Sequence, residues 1–168
     1  MISIELSVES EGWASEAALR TLVDTVISAA ILDTRVHLAD DAEVSVVLTD
    51  DASVRELNKA WRQQDKPTNV LSFPATEPDR LATSPLVGDI VVARETVVRE
   101  AEAEGKTFDA HFTHLVLHGF LHLIGFDHET DQEADEMETT ERRILASLGI
   151  DDPYREDGPG SVLPHDEH

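Results

Sequence analysis

His118-Gly-Phe-Leu-His122-Leu-Ile-Gly125-Phe-Asp-His128 is the stretch around which the rest of the chain is organised. Two histidines four apart on a helix lie one turn above the other on the same face. Gly125 then supplies a residue that tolerates the left-handed conformation with which a helix ends and turns back. The reversal falls where His128 can swing round to meet the first two rings. Three imidazoles drawn from a helix and the turn after it suit a zinc ion with one coordination position left open. That layout is catalytic, because a closed structural site fills the fourth place with protein. His37, His165 and His168 lack such company and read as ordinary surface or core histidines.

Working outward, the segments on either side alternate between the two periodicities. Ile2, Ile4, Leu6 and Val8 alternate with polar residues and predict a strand with one buried face. Ser15 caps a helix with an apolar stripe of Leu19, Leu22, Val23, Val26, Ile27 and Ala30. Residues 43–49 form a second strand. Asp50 or Asp51 opens a short helix with Val54, Leu57 and Trp61 turned inward, and the polar run up to Pro67 is a loop. A third strand covers 69–73, an exposed loop 75–86, and a fourth strand 88–93. A charged helix follows and ends at Gly105.

Thr107 caps the long helix that carries the histidines. It is apolar on nearly every side, which places it in the core. The last helix begins at a capping box, Thr130 with Glu133, buries Met137, Ile144, Leu145 and Leu148, and stops at Gly149. The order predicts an α+β fold. One domain, residues 1–150, holds a mixed four-stranded sheet packed with about five helices, and the central helix carries a His-x3-His-x5-His zinc site. The first β-α-β unit is expected to be a right-handed parallel crossover. Residues 151–168 read as an acidic, mobile tail.

Composition narrows the function. The chain has 168 residues, enough for one domain, and 40% of them are hydrophobic. It has no cysteine, so a metal must rest on histidine or carboxylates. No apolar run is long enough to span a membrane and no leader pattern opens the chain, so a cytoplasmic location is expected. The net charge of −22 argues against unspecific binding to a polyanion, and DNA is not an expected partner. A small basic window remains: Arg55, Lys59, Arg62 and Lys66 outweigh Glu56 and Asp65 by two charges. From Glu129 onward thirteen acids face three basic residues.

Zinc on three neutral imidazoles lowers the pKa of its water to about 7 and polarises the oxygen it touches, so the chemistry is hydrolysis. The spacing of His118, His122, Gly125 and His128 is that of the metzincin peptidase signature. That signature needs a Glu after the first histidine to carry a proton to the leaving amine, and here the position is Gly119. A phosphodiester asks mainly for charge stabilisation on phosphoryl oxygens, which a metal and an arginine supply. The missing Glu shifts the reading from peptide to phosphodiester. A zinc peptidase, and a non-catalytic module with a structural metal, are the alternatives.

The stretch from His118 to His128 resembles the signature of the YbeY family of bacterial rRNA maturation factors. The likeness extends over roughly residues 40–150: Leu57-Asn58, Arg62, Pro67-Thr68, Val70-Leu-Ser-Phe-Pro74, Gly88-Asp-Ile-Val91, Glu136-Met137 and Ile144-Leu145 fall where that family has its motifs. The resemblance implies a zinc-dependent, single-strand-specific endoribonuclease that matures the 16S rRNA 3′ end and takes part in ribosome quality control. Its partners are then single-stranded rRNA and the ribosome or its 30S subunit. His118, His122 and His128 become the ligands of one Zn2+ per chain, and Arg62 the arginine near the catalytic site, whose planar fork suits phosphate. Asn69 departs from the Asp that the family usually has there, at the cost of one charge. His114, one turn before His118, reads either as a residue that orients a ligand or as packing. Trp61 and Phe73 read as core, with base stacking as the alternative.

Overall fold

The computed structural model describes residues 2–154. Four strands, β1 (Ser3–Val8), β2 (Glu43–Thr49), β3 (Val70–Pro74) and β4 (Leu86–Ala93), form one sheet in the order β1-β2-β4-β3. β1 runs parallel to β2 and β2 to β4, while β3 lies antiparallel on the open side of β4. Five helices accompany it: α1 (Glu16–Thr34), α2 (Asp51–Arg62), α3 (Arg94–Glu104), α4 (Phe108–Leu123) and α5 (Asp131–Ser147). The fold is the α+β arrangement with a mixed four-stranded sheet that the order of elements predicts.

Period-two alternation sends each strand's residues to two different cores. Val44, Val46, Leu48, Ile90 and Val92 join the large cluster with the apolar stripes of α1, α4 and α5. Leu71 and Val91 point the other way, into a small cluster with Val54 of α2, against which Val47, Leu57 and Phe73 pack. The large cluster surrounds α4, in which every residue from His111 to Leu121 is buried. At 25 cal/mol per Å² a fully buried Leu or Phe side chain contributes roughly 1.5–3 kcal/mol, so this helix is the main hydrophobic element.

Local signals set the helix limits. Ser15, Asp50 and Thr107 each accept a backbone N–H of the first turn of α1, α2 and α4. Thr130 and Glu133 form the reciprocal capping box that opens α5. α4 ends in a Schellman motif: Phe126 N–H donates to Leu121 O at 2.9 Å and Gly125 N–H to His122 O at 3.2 Å. Gly125 has φ +110°, which strains any other residue, and a Cβ on it would crowd Pro78 Cγ at 3.0 Å.

Three expectations need correction. Trp61 does not point inward. It is 71% exposed, while Val54 and Leu57 of the same helix pack into the small cluster. The 75–86 segment is not wholly exposed. Pro78–Arg80 form a 3-10 turn, and Leu81 after it is buried against the large cluster. Val8, at the end of β1, is 36% exposed rather than part of the buried face. Of the stretch expected to be a tail, residues 155–168 lie outside the described residues. Asp152 and Tyr154 are held against α5, through Arg142 Nε (3.2 Å) and Glu141 Oε1 (2.5 Å) respectively.

Candidate metal centre

The last two turns of α4 carry His118 and His122, and the Schellman turn returns the chain so that His128 faces them. One nitrogen of each ring lies within 4.8 Å of the others, and the ring centroids are 4.7, 5.0 and 5.9 Å apart. His118 Nε2 and His122 Nε2 are 3.2 Å apart. Two ligands of a tetrahedral ion with bonds of 2.0–2.1 Å would be separated by about 3.3–3.4 Å. The donor set and its spacing therefore fit a metal ion of the zinc type.

The protonation states fit as well. Burial, then the neighbouring His118 and His128, push the His122 imidazole down to about 4, so it is neutral at neutral pH. A neutral ring offers the lone pair a metal needs. His118 Nδ1 lies 2.7 Å from Glu141 Oε2, and an ionised carboxylate there accepts the Nδ1 proton. That fixes the tautomer with a bare Nε2 turned toward the other two rings.

Glu141 sits at the centre of the polar arrangement behind the histidines. It has no exposed surface, and its Oε1 accepts from His114 Nε2 at 2.7 Å and from the Tyr154 hydroxyl at 2.5 Å. Burial raises the pKa of such a carboxyl, but the hydrogen bonds from His114 and His118 outweigh it and hold the group well below the usual carboxylate range. Burial lowers His114, so it donates through Nε2 as a neutral ring, and its Nδ1 is buried without a hydrogen-bond partner among the described residues. Burial and the adjacent carboxylate keep the Tyr154 phenol protonated. The Arg142 guanidinium stands 5.2 Å over the Tyr154 ring.

Sequence reasoning missed Glu141, although a signal existed. Met137, Thr140, Glu141, Ile144 and Leu145 make one helical stripe, and an acid inside an apolar stripe must have buried partners.

Gly119 faces the sheet. A Cβ there would lie 2.9 Å from Ile90 Cγ2 and 3.1 Å from Ser72 Oγ, and the Ser72 hydroxyl donates to Gly119 O at 3.1 Å. The position of the peptidase Glu is thus packed tightly against β3 and β4. Arg62 lies at the exposed end of α2. Its Nη2 donates to Ser72 O at 3.2 Å on the outer strand. Asn69 Nδ2 donates to Glu100 Oε1 at 3.0 Å, its Oδ1 accepts Val70 N–H at 2.7 Å, and His111 Nε2 meets the same Glu100 oxygen at 2.9 Å. Asn69 thereby ties the start of β3 to α3 and α4. A groove of about 560 Å³ opens beside the cluster, lined by Pro74, Pro78, Arg80, His122 and their neighbours.

Fold and site together define an α+β protein whose buried helix presents a three-histidine, metal-type centre to a groove. The model of the family described as endoribonuclease YbeY matches residues 5–149. The chain is 53% identical over 154 residues to a protein of Azorhizobium caulinodans named endoribonuclease YbeY, across 91% of this chain and 96% of that one. It is 49% identical to a protein of Agrobacterium fabrum with the same name, across 91% and 95% of the two chains. The solution structure of TM1509 from Thermotoga maritima is similar with a TM-score of 0.56 at 28% identity, covering 96% of this chain and all of that one. The chain belongs to the endoribonuclease YbeY family.

Proposed function

We propose that this protein is a zinc-dependent endoribonuclease that cuts single-stranded RNA and takes part in maturing the 3′ end of 16S rRNA and in ribosome quality control. The observation that carries the reading is the convergence of His118, His122 and His128 beside a groove, in a chain whose relatives are named endoribonucleases. A bound zinc would supply Lewis acidity to a phosphoryl oxygen. Glu141 orients His118, and the Schellman turn positions His128. Arg62 binds phosphate as RNA passes the β3 edge, and Arg80 lines the groove with His122. Gly119 has no side chain to protonate an amine, which favours the phosphodiester over the peptide bond.

Among the described residues no helix is long and apolar enough to cross a membrane. The working place of such an enzyme is the cytoplasm, on the 30S subunit or the ribosome. A surface of net charge −22 is steered to RNA through a local basic window and that ribosomal partner rather than through overall attraction.

One gel tests the proposal. An end-labelled RNA ending in a 16S 3′ terminus, free or within 30S particles, is incubated with zinc-loaded protein, chelated protein, chelated protein restored with zinc, and His122→Ala. Internal cuts that require zinc and His122 are expected. Intact RNA in both free and 30S form, with folded and loaded protein, would overturn it.

A further inference from the structure

Trp61 stands at the C-terminal end of α2 with 71% of its surface exposed, although a tryptophan can bury 150–250 Å² of largely apolar area. It is not loose. Its ring meets Phe73 in a T-shaped contact, with centroids 6.2 Å apart at 65°, and most of the indole surface stays open. Phe73 belongs to β3, the outer strand. Pro74, the next residue, lines the groove that His122 also lines. The residue before Phe73, Ser72, takes the Arg62 guanidinium on its carbonyl and donates its hydroxyl to Gly119 of the histidine helix. Three successive residues of one strand thus connect the exposed indole, the arginine and the metal centre.

The charge around the indole has the sign a nucleic acid requires. Arg55 is matched by Asp65 at 2.6 Å, and exposed Lys59, Arg62 and Lys66 outnumber the one exposed acid left in this stretch, Glu56, with Arg62 directly after Trp61. An aromatic face beside a cluster of cations on a strongly acidic protein suits a π-face attached to a phosphate backbone. Single-stranded nucleic acids are held in this way, by stacking plus phosphate contacts, and stacking tolerates any base. An apolar protein partner would gain nothing from the three cations.

We infer that the Trp61 ring, braced by Phe73, is a stacking platform for an unpaired base of the RNA substrate, next to the phosphate held by Arg62. The inference rests on the proposed RNA cleavage and adds to it a subsite and a reason for single-strand preference: a base paired in a duplex has no free face to offer.

Two measurements test it. Trp13, the other tryptophan, is half-buried against Phe108 and Phe112, so Trp13→Phe leaves Trp61 as the sole reporter. Rapid mixing of the metal-loaded Trp13→Phe protein with oligoadenylate is expected to quench Trp61 emission. An equally long abasic oligoribonucleotide should bind by anisotropy without quenching. In the otherwise unchanged protein, Trp61→Ala is expected to raise KM for single-stranded RNA about tenfold or more with little change in kcat. Trp61→Tyr should recover most of that loss, and Leu32→Ala, an exposed apolar residue on α1, should change neither constant.

RNA that binds and is cut while Trp61 emission and the Trp61→Ala KM stay unaltered would overturn the platform and leave the nuclease standing. Weakened affinity of Trp61→Ala for 30S particles with an unchanged KM for free RNA would overturn it too, by marking the face as a protein dock. RNA neither bound nor cut by the wild type would remove both the nuclease and the platform.

Discussion

The Nδ1–H of His118 donates to Glu141 at 2.7 Å, and Glu141 has no exposed surface at all. A buried carboxylate is tolerable only with enough donors, and His114, His118 and Tyr154 supply three. Glu141 thus fixes the tautomer of His118, while its own charge is held by the fold.

Glu141→Gln is expected to weaken metal affinity by about ten- to a hundredfold, since an amide accepts at only one of its two ends and leaves one histidine facing an NH2 donor. A chelator competition titration measures this. Glu141→Ala should in addition cost about 1–3 kcal/mol of stability, because it removes a shared acceptor from two buried rings and a phenol.

Gly119→Ala pits helix propensity against space. Alanine favours the helix by about 1 kcal/mol, but the added Cβ meets Ile90 Cγ2 at 2.9 Å. The clash should win, with a net loss of about 1–3 kcal/mol in urea unfolding. Equal or greater stability would mean that α4 does not rest on the sheet at this point.

Metal binding should appear in the melting temperature. Zinc at a hundred times its Kd stabilises by about 2.7 kcal/mol if only the folded chain binds it. Chelation should remove the gain, and His128→Ala should melt at the same temperature with and without zinc.

Arg62 makes its hydrogen bond at the surface, so Arg62→Ala should change stability by no more than about 0.5 kcal/mol. Cleavage should fall roughly tenfold or more, with Arg62→Lys recovering only part because an ammonium lacks the planar fork. Wild-type kinetics in both variants would remove Arg62 from the proposed phosphate site.

Asp33 and Arg143 join α1 to α5 through two hydrogen bonds of 2.6 and 2.8 Å, and these hydrogen bonds hold the Asp33 carboxyl below the usual aspartate range. A depressed folded-state pKa contributes stability that is fully present above the unfolded value of about 3.9 and disappears as pH falls through the folded one. Arg143 is 56% exposed, so the contribution is at most about 1 kcal/mol. Asp33→Asn should lower Tm slightly at pH 7, and the gap to wild type should narrow as pH falls below the unfolded aspartate value of about 3.9.

Much of this protein is local, and what is local is legible in the sequence. The caps at Ser15, Asp50 and Thr107, the Thr130–Glu133 box and the stop at Gly125 act over at most five residues. Their effect follows from residue type and spacing alone. The histidine trio belongs to this group, since eleven consecutive residues contain both the helix face and the turn that brings the third ring back.

Only the tertiary structure decided the rest, because it depends on contacts between segments far apart in the chain. Glu141 meets His118 across 23 positions, and Ser72 meets Gly119 across 47. No periodicity encodes which helix lies against which. The same holds for Trp61, whose stripe reads as core until the packing of α2 is known. Helical spacing says which residues share a face, and only packing says how much of that face finds a partner.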